Sequence, residues 1–474
     1  MVLNVAARRI PPALALLLWC ALGTVLAQLV LARAAPNPRG FSPIFWYLLT
    51  AYDTHGNLLL AAIAVAAFLL RRQPAVAALV RAASDHPWRV AAIVLPLLWA
   101  GAATVYRGYP LSMDEYVAWF QAETFAAGRL DGQFPPDLMN ELMPRFPSGF
   151  FFVASRPAGV IAGSYWPGFA LLMAPFAWLG VPWAANAVIS ALSLPAVHRL
   201  ALAVSGSREA AGWALLLTLA SPAFVISALS YYAMPAHLLC NVLFALLLLQ
   251  PTPARAALAG LVGSVALTLH NPAPHLLFSI AFVVWLVLRR APLAVFGALA
   301  AGYLPLLALL GWGWQQHLAA VLAHTGAAAM QAAGTPAERV AAAASAAVTW
   351  PGAKIIEARI AGLSKVWTWG SATLMVLAAY GYAAARALPA VKALAAALAI
   401  TFLGYFLVPF DQGHGWGFRY LHSAWFVLPV LAGLALARMT DEETRNLAGW
   451  ALAFSLILAN GLRLAQVETF IGKH

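Results

Sequence analysis

Charge is what this chain has least of. Asp and Glu together number 16 in 474 residues, and charged residues of both signs make up 9%. A soluble protein of this length needs a solvated shell that so few charges cannot supply. Cysteine is nearly missing as well, with Cys20 and Cys240 the only two. Both fall inside apolar runs without metal-ligand spacing, which excludes a cysteine zinc site and leaves them as packing residues. What fills the chain instead is apolar: 63% hydrophobic residues and a mean hydropathy of +0.80.

Apolar runs of membrane length recur from 11–33 to 447–464. A helix needs roughly 20 such residues to cross the hydrocarbon layer, and the runs amount to about 13 spans. Only helices and closed barrels satisfy their backbone in lipid, and runs this long exclude barrel strands. The expectation is an all-α polytopic membrane protein, one membrane unit rather than several domains. Arg8 and Arg9 precede the first run as in a signal peptide, but the run is long and lacks a cleavage site, so an uncleaved span is expected.

A net charge of +12 invites a nucleic-acid partner. Its distribution argues for the lipid bilayer instead and against nucleic acid, because basic residues flank spans in ones and twos and form no stripe. Basic loops stay on the cytoplasmic side. With the N-terminus inside, Arg71, Arg72, Arg81, Arg89, Arg199, Arg208, Arg255, Arg289 and Arg290 all lie there. The alternation holds if 165–181 does not span but lies as a helix in the outer interface.

That topology puts a polar island outside. Six carboxylates, Asp114, Glu115, Glu123, Asp131, Asp137 and Glu141, lie between Tyr106 and Tyr165. Asp114 and Glu115 come first, just past the run 90–105. A partly desolvated carboxylate there can act as general base for an incoming hydroxyl. The plain alternative is two acids offsetting a helix dipole. His270 and His275 flank a proline-rich turn, where they would donate to a phosphate or simply cap the turn; their spacing is not that of a zinc site. His237 follows a proline at the start of a span. Arg419, the one basic residue after Gly415-Trp416-Gly417-Phe418, suits bidentate phosphate contact, although interfacial arginines also snorkel. His414 and Asp411 share that turn. Asp53 and His55 read as surface residues, since a charge at mid-bilayer costs roughly 2.5–3.5 kcal/mol. The segment 312–365, with Glu338, Lys354 and Glu357, reads as a second outer loop with an amphipathic flap.

The order of these features resembles the GT-C superfamily of membrane glycosyltransferases, which includes the protein O-mannosyltransferases and lipid A aminoarabinose transferases. Asp114-Glu115 with Ala122 and Gly128 downstream carries the likeness, as do Tyr165-Trp166-Pro167-Gly168-Phe169, Gly260-Leu261-Val262-Gly263 leading to His270-Asn271-Pro272, and Gly415 to Leu421. The resemblance covers roughly 88–437. It departs where relatives often carry Arg-Pro in place of His270-Asn271-Pro272, and in two additional N-terminal spans.

The resemblance implies a transfer of sugar from a polyprenyl-phosphate-linked donor to the hydroxyl of a glycan, lipid or protein, with inversion. Asp114 would be the catalytic acid residue. Glu115, or a divalent cation, would position the donor. His237, His270, His275, His414 and Arg419 would meet the substrate. It also implies a division into 1–87, two added helices; 88–311, a catalytic module with outer loop 106–181; 312–365, a second outer loop; and 366–474, the C-terminal helices. Ala- and Arg-rich, Lys-poor usage points to a bacterial plasma membrane, with the site on its extracytoplasmic side. Two rival readings are a transporter or flippase of a lipid-linked envelope precursor and a structural subunit. Transporters commonly show repeated halves and midplane ionisable groups, and neither pattern is visible here.

Overall fold

The computed structural model describes residues 10–142, 151–323, 348–410 and 413–473. It is a bundle of apolar helices. Helices α1 (Pro12–Ala34) and α2 (Pro43–Leu69) form an N-terminal pair. Pro12 and Pro43 stand at the first helical position, where the missing amide is no loss. A short α3 (Ala77–Asp85) leads to α4 (Pro87–Thr104). The chain then reverses through Arg107 and Gly108, both left-handed, and enters α5 (Met113–Ala126).

The segment that follows carries three short strands, β1 (Gly132–Gln133), β2 (Phe152–Ser155) and β3 (Val160–Gly163), in the order β1-β3-β2 and all antiparallel. Phe152 faces Gly163 and Gly132 faces Ile161. These strands are an addition to the all-α expectation; they lie outside the bundle, where a tight Gly159 turn lets a short apolar run pair with its neighbour. Helix α6 (Gly168–Trp178) has 11 residues, the short element expected of an interfacial segment.

The bundle continues with α7 (Pro182–Ser205), the bent pair α8 (Arg208–Leu219) and α9 (Pro222–Leu229), α10 (Met234–Leu248), α11 (Pro253–Thr268), α12 (Ala273–Leu288) and α13 (Leu293–Ala323). After the undescribed stretch come α14 (Ala353–Thr368), α15 (Leu374–Ala385), α16 (Pro389–Leu407), the hairpin β4 (His414–Gly415) and β5 (Gly417–Phe418), the bent pair α17 (Arg419–Trp425) and α18 (Val427–Arg438), and α19 (Glu442–Ile471). The bends are 60° and 45°. Both follow from proline: Pro222 cannot continue α8, and the Pro429 ring opposes the carbonyl of Trp425. Among the described residues, seven helices are by themselves long and apolar enough to cross a membrane, or nine with each bent pair taken as one span. The rest of the expected spans are apolar helices of 10–17 residues. The chain is an integral membrane protein.

Close helix contact depends on small residues. A Cβ on Gly260 of α11 would overlap the carbonyl of Leu299, and one on Gly302 of α13 that of Ala257, so these backbones touch across the pair. Lipid tails are as apolar as leucine, so helices in a membrane associate by packing of this kind.

One expectation changes. Asp53 is not at the surface but fully buried, 0% exposed, while His55, two residues on and on the opposite face of the helix, is exposed. Lys365 Nζ of α14 lies 2.5 Å and Arg463 Nη2 of α19 lies 3.1 Å from the Asp53 carboxylate. The Trp369 indole donates to it at 2.6 Å. Partner charges three hundred residues away in the chain remove the cost that made the position look forbidding. The segment 312–365 is described only at its two ends, and the Ala-rich middle expected as an amphipathic flap lies outside the described residues. Its beginning continues α13, and its end is α14, which buries Arg359 and Lys365 and pairs Glu357 with Arg33 and Arg39. Glu338 lies outside the described residues.

Candidate active site

The two adjacent acids separate because α5 begins at them. Ser112 is the extended residue before the helix, and Glu115 occupies the third helical position. From there its carboxylate reaches back to the free amides of Leu111 and Ser112, at 3.2 and 3.1 Å, satisfying donors that a helix start leaves open. Tyr106 donates to it at 2.7 Å and the Tyr231 amide at 3.0 Å. Glu115 is 0% exposed. Burial pushes its carboxyl above the ordinary glutamate range, against the lowering effect of the Tyr231, Tyr106 and Ser112 hydrogen bonds.

Asp114, one residue earlier, points the other way into a narrow cleft of about 30 Å³. Its side chain is 21% exposed. Arg419 Nη1 donates to Oδ2 at 2.8 Å, and the Tyr165 hydroxyl donates to Oδ1 at 2.5 Å. Burial acts to raise the Asp114 carboxyl, but the Arg419 charge, the Tyr165 hydrogen bond and His270 outweigh it and hold it below the usual aspartate range. Asp114 is ionised at neutral pH.

Three further segments converge on this carboxylate. Arg419 opens α17 at the exit of the β4–β5 hairpin, and its amide donates to the Gly413 carbonyl at 2.7 Å. Gly413 and Gly417 adopt left-handed backbone there, which explains the glycine spacing. The guanidinium lies 4.5 Å over the Tyr232 ring, and its Nε has no partner among the described residues. Tyr232 is held by Asn186 of α7, whose amide donates to the Ser230 and Tyr232 carbonyls at 2.6 and 2.8 Å. Tyr165 belongs to the Tyr-Trp-Pro-Gly-Phe segment, which docks on the end of α11: Trp166 N donates to His270 O at 3.1 Å and Phe169 N to Leu269 O at 3.0 Å. A Cβ on Gly168 would stand 2.7 Å from the Thr268 carbonyl, so only glycine permits this approach.

His270 packs edge-on against Tyr165, ring centroids 4.0 Å apart, and its Nδ1 accepts from Asn271 at 2.8 Å. Burial depresses the imidazole to about 4, so it is neutral at pH 7. Trp166, Phe169, Met234 and Leu269 supply the apolar wall.

Of the residues expected at the site, Asp114, His270 and Arg419 line the cleft, and the other four do not. Glu115 is enclosed as described. His237 is 2% exposed, with both ring nitrogens unpaired among the described residues. His275 is 0% exposed; its Nδ1 donates to Asn241 Oδ1 at 2.6 Å, and its Nε2 accepts from the Tyr303 hydroxyl at 2.7 Å, a bridge between helices. His414 is buried between Phe45 and Phe418. Asp411 lies outside the described residues. Tyr165 and Tyr232 hold the Asp114–Arg419 pair without having been singled out for it; their place beside Pro167 and Pro235 was the only signal. Among the described residues no group of three or more His, Cys, Asp or Glu side chains is arranged to hold a metal ion.

No protein-family model and no curated protein sequence matches this chain. Solved structures do. ArnT from Cupriavidus metallidurans bound to undecaprenyl phosphate superposes with a TM-score of 0.51 at 16% identity, over 74% of this chain and 60% of ArnT. The apo state of the same protein gives 0.47 at 15% identity, over 74% and 59%. The chain thus spans about 60% of the length of the structure it matches. The likeness shows that this chain shares its fold with ArnT over that length.

Proposed function

We propose that this chain transfers a sugar from a polyprenyl-phosphate carrier to an acceptor hydroxyl, with inversion, at the extracytoplasmic face of a bacterial plasma membrane. The observation that carries the reading is the Asp114–Arg419 pair at the mouth of an apolar-walled cleft. The undecaprenyl phosphate bound to the ArnT neighbour supports a polyprenyl phosphate as carrier.

In the resting site Asp114 is a poor base, because Arg419 holds its carboxyl low. A donor phosphate arriving beside Arg419 competes for the guanidinium, which has Nε still to offer. As the guanidinium turns to phosphate, Asp114 loses its counter-ion and gains proton affinity at the moment a base is required. Asp114 then takes the proton of the acceptor hydroxyl, whose oxygen bonds to the anomeric carbon from the face opposite the phosphate. The bond between that carbon and the phosphate oxygen breaks, and the phosphate leaves with the electron pair. Arg419 meets the charge that develops on it, the type of contribution that electrostatic preorganisation makes. Tyr165 aims the carboxylate, and neutral His270 buttresses Tyr165. Among the described residues Asp114 is the single carboxylate lining the cleft, so a divalent cation there would take its other ligands from the donor.

The test is Asp114→Asn in membranes supplied with labelled polyprenyl-phosphate sugar. Turnover is expected to fall at least 10²-fold, the usual scale of general-base catalysis and roughly its lower bound. Turnover retained at the native rate removes Asp114 from the mechanism.

A further inference from the structure

The helices that converge on the cleft have other ends, and those ends surround a second cavity. α7 starts beside the cleft, where Asn186 holds Tyr232, and carries Arg199 in its second half; α12 starts just after the His270 turn and ends at Arg289; α10 begins at Met234 in the cleft wall and finishes near Gln250. α11 runs the opposite way, from Arg255 to the His270 turn. At 1.5 Å per residue, helices of this length separate the two cavities by about 20–30 Å, the thickness of the hydrocarbon layer.

This second cavity has a volume of about 740 Å³. Three guanidiniums, Arg199, Arg255 and Arg289, stand around it with no carboxylate in its lining. Arg255 is fixed by Gln250 at 3.1 Å and by the Leu246 carbonyl at 2.9 Å, while Arg289 lies 4.9 Å over the Trp285 ring. Trp285 is only 6% exposed, yet its indole Nε1 has no partner among the described residues. Leu246, Leu249 and Leu388 make the remainder apolar.

We infer that this cavity binds an anionic phospholipid carrying two phosphodiester groups, drawn from the leaflet facing away from the cleft. One phosphate is matched by one or two guanidiniums. Three guanidiniums carried by three different helices or their ends fit a headgroup with two. The leucines receive the acyl chains. Basic pockets between helices at a membrane surface have the electrostatics for such headgroups.

The test is native mass spectrometry of the detergent-purified full chain offered cardiolipin, phosphatidylglycerol or phosphatidylcholine. It requires no sugar transfer, so it stands whatever becomes of the proposed activity. One cardiolipin is expected to be retained in preference to the other two lipids, and an excess of inorganic phosphate is expected not to displace it. The double variant R199Q/R289Q alters two exposed side chains and is expected to weaken retention roughly thirtyfold, the loss of two surface cationic contacts. Arg81→Gln, an exposed arginine away from the cavity, is expected to change nothing. Equal retention of all three lipids, displacement by phosphate, or a loss in R81Q equal to that in R199Q/R289Q overturns the assignment.

Discussion

Adjacent residues can have opposite fates, and Asp114 and Glu115 do. The helix start assigns Glu115 to capping and leaves Asp114 facing the cleft, so of two acids that read alike in sequence one reaches the cleft. Arg419→Gln tests the pairing from the other side. Losing the guanidinium removes the charge that lowers Asp114 and, in the proposed mechanism, the contact for the leaving phosphate. kcat is expected to fall about 10²–10³-fold. The acid limb of kcat/KM, below the ordinary aspartate value of about 3.9 in the native chain, is expected to move up. His270 sets a separate limit. Its folded value of about 4 lies below the unfolded value near 6.5, so the unfolded chain takes up a proton first as pH falls. Stability from His270 is complete above that upper value and declines toward pH 4; His270→Gln is expected to flatten this part of a Tm-versus-pH curve.

At the scale of elements, the Tyr-Trp-Pro-Gly-Phe segment explains itself only in three dimensions. Its aromatics look like an interfacial belt, but its backbone donates to the last carbonyls of α11, and Gly168 is the point of closest approach. Gly168→Ala is expected to push α6 off α11, carry Tyr165 away from Asp114, and cost about 1–3 kcal/mol, the range for overpacking. Thermal unfolding in detergent reads the stability. A fall in turnover larger than the stability loss accounts for would locate the effect at Tyr165. Helix existence, the shortness of the helix within 165–181 and the glycine-bearing turn that presents Arg419 were legible in sequence, because hydropathy, proline and glycine act locally. The enclosed places of His237, His275 and His414 were not. A histidine at the end of an apolar run looks the same whether its ring faces the cleft or bridges to Asn241 and Tyr303.

Across the whole molecule, Asp53 gives the N-terminal pair a role that hydropathy concealed. It lies between Lys365 and Arg463, and Lys365 also donates to the Gly415 carbonyl at 3.2 Å, in the hairpin that presents Arg419. A second path reaches the same hairpin: Trp416 donates to Tyr106 at 3.1 Å, and Tyr106 donates to Glu115. Thus α2, α14, α19 and the start of α5 brace one turn. The two cations exceed the one anion, so removing the anion is the worst single change. Asp53→Asn leaves two buried cations unpaired and is expected to cost about 3–5 kcal/mol, seen as a large drop in Tm. Lys365→Met leaves Asp53 and Arg463 as a neutral pair of one to one, and its stability loss is expected to be smaller. It nevertheless severs the tether to Gly415, so turnover is expected to fall while most of the chain stays folded. If Lys365→Met unfolds the chain as fully as Asp53→Asn, the cluster serves the bundle alone. If it leaves turnover intact, the hairpin holds Arg419 without help from the N-terminal helices.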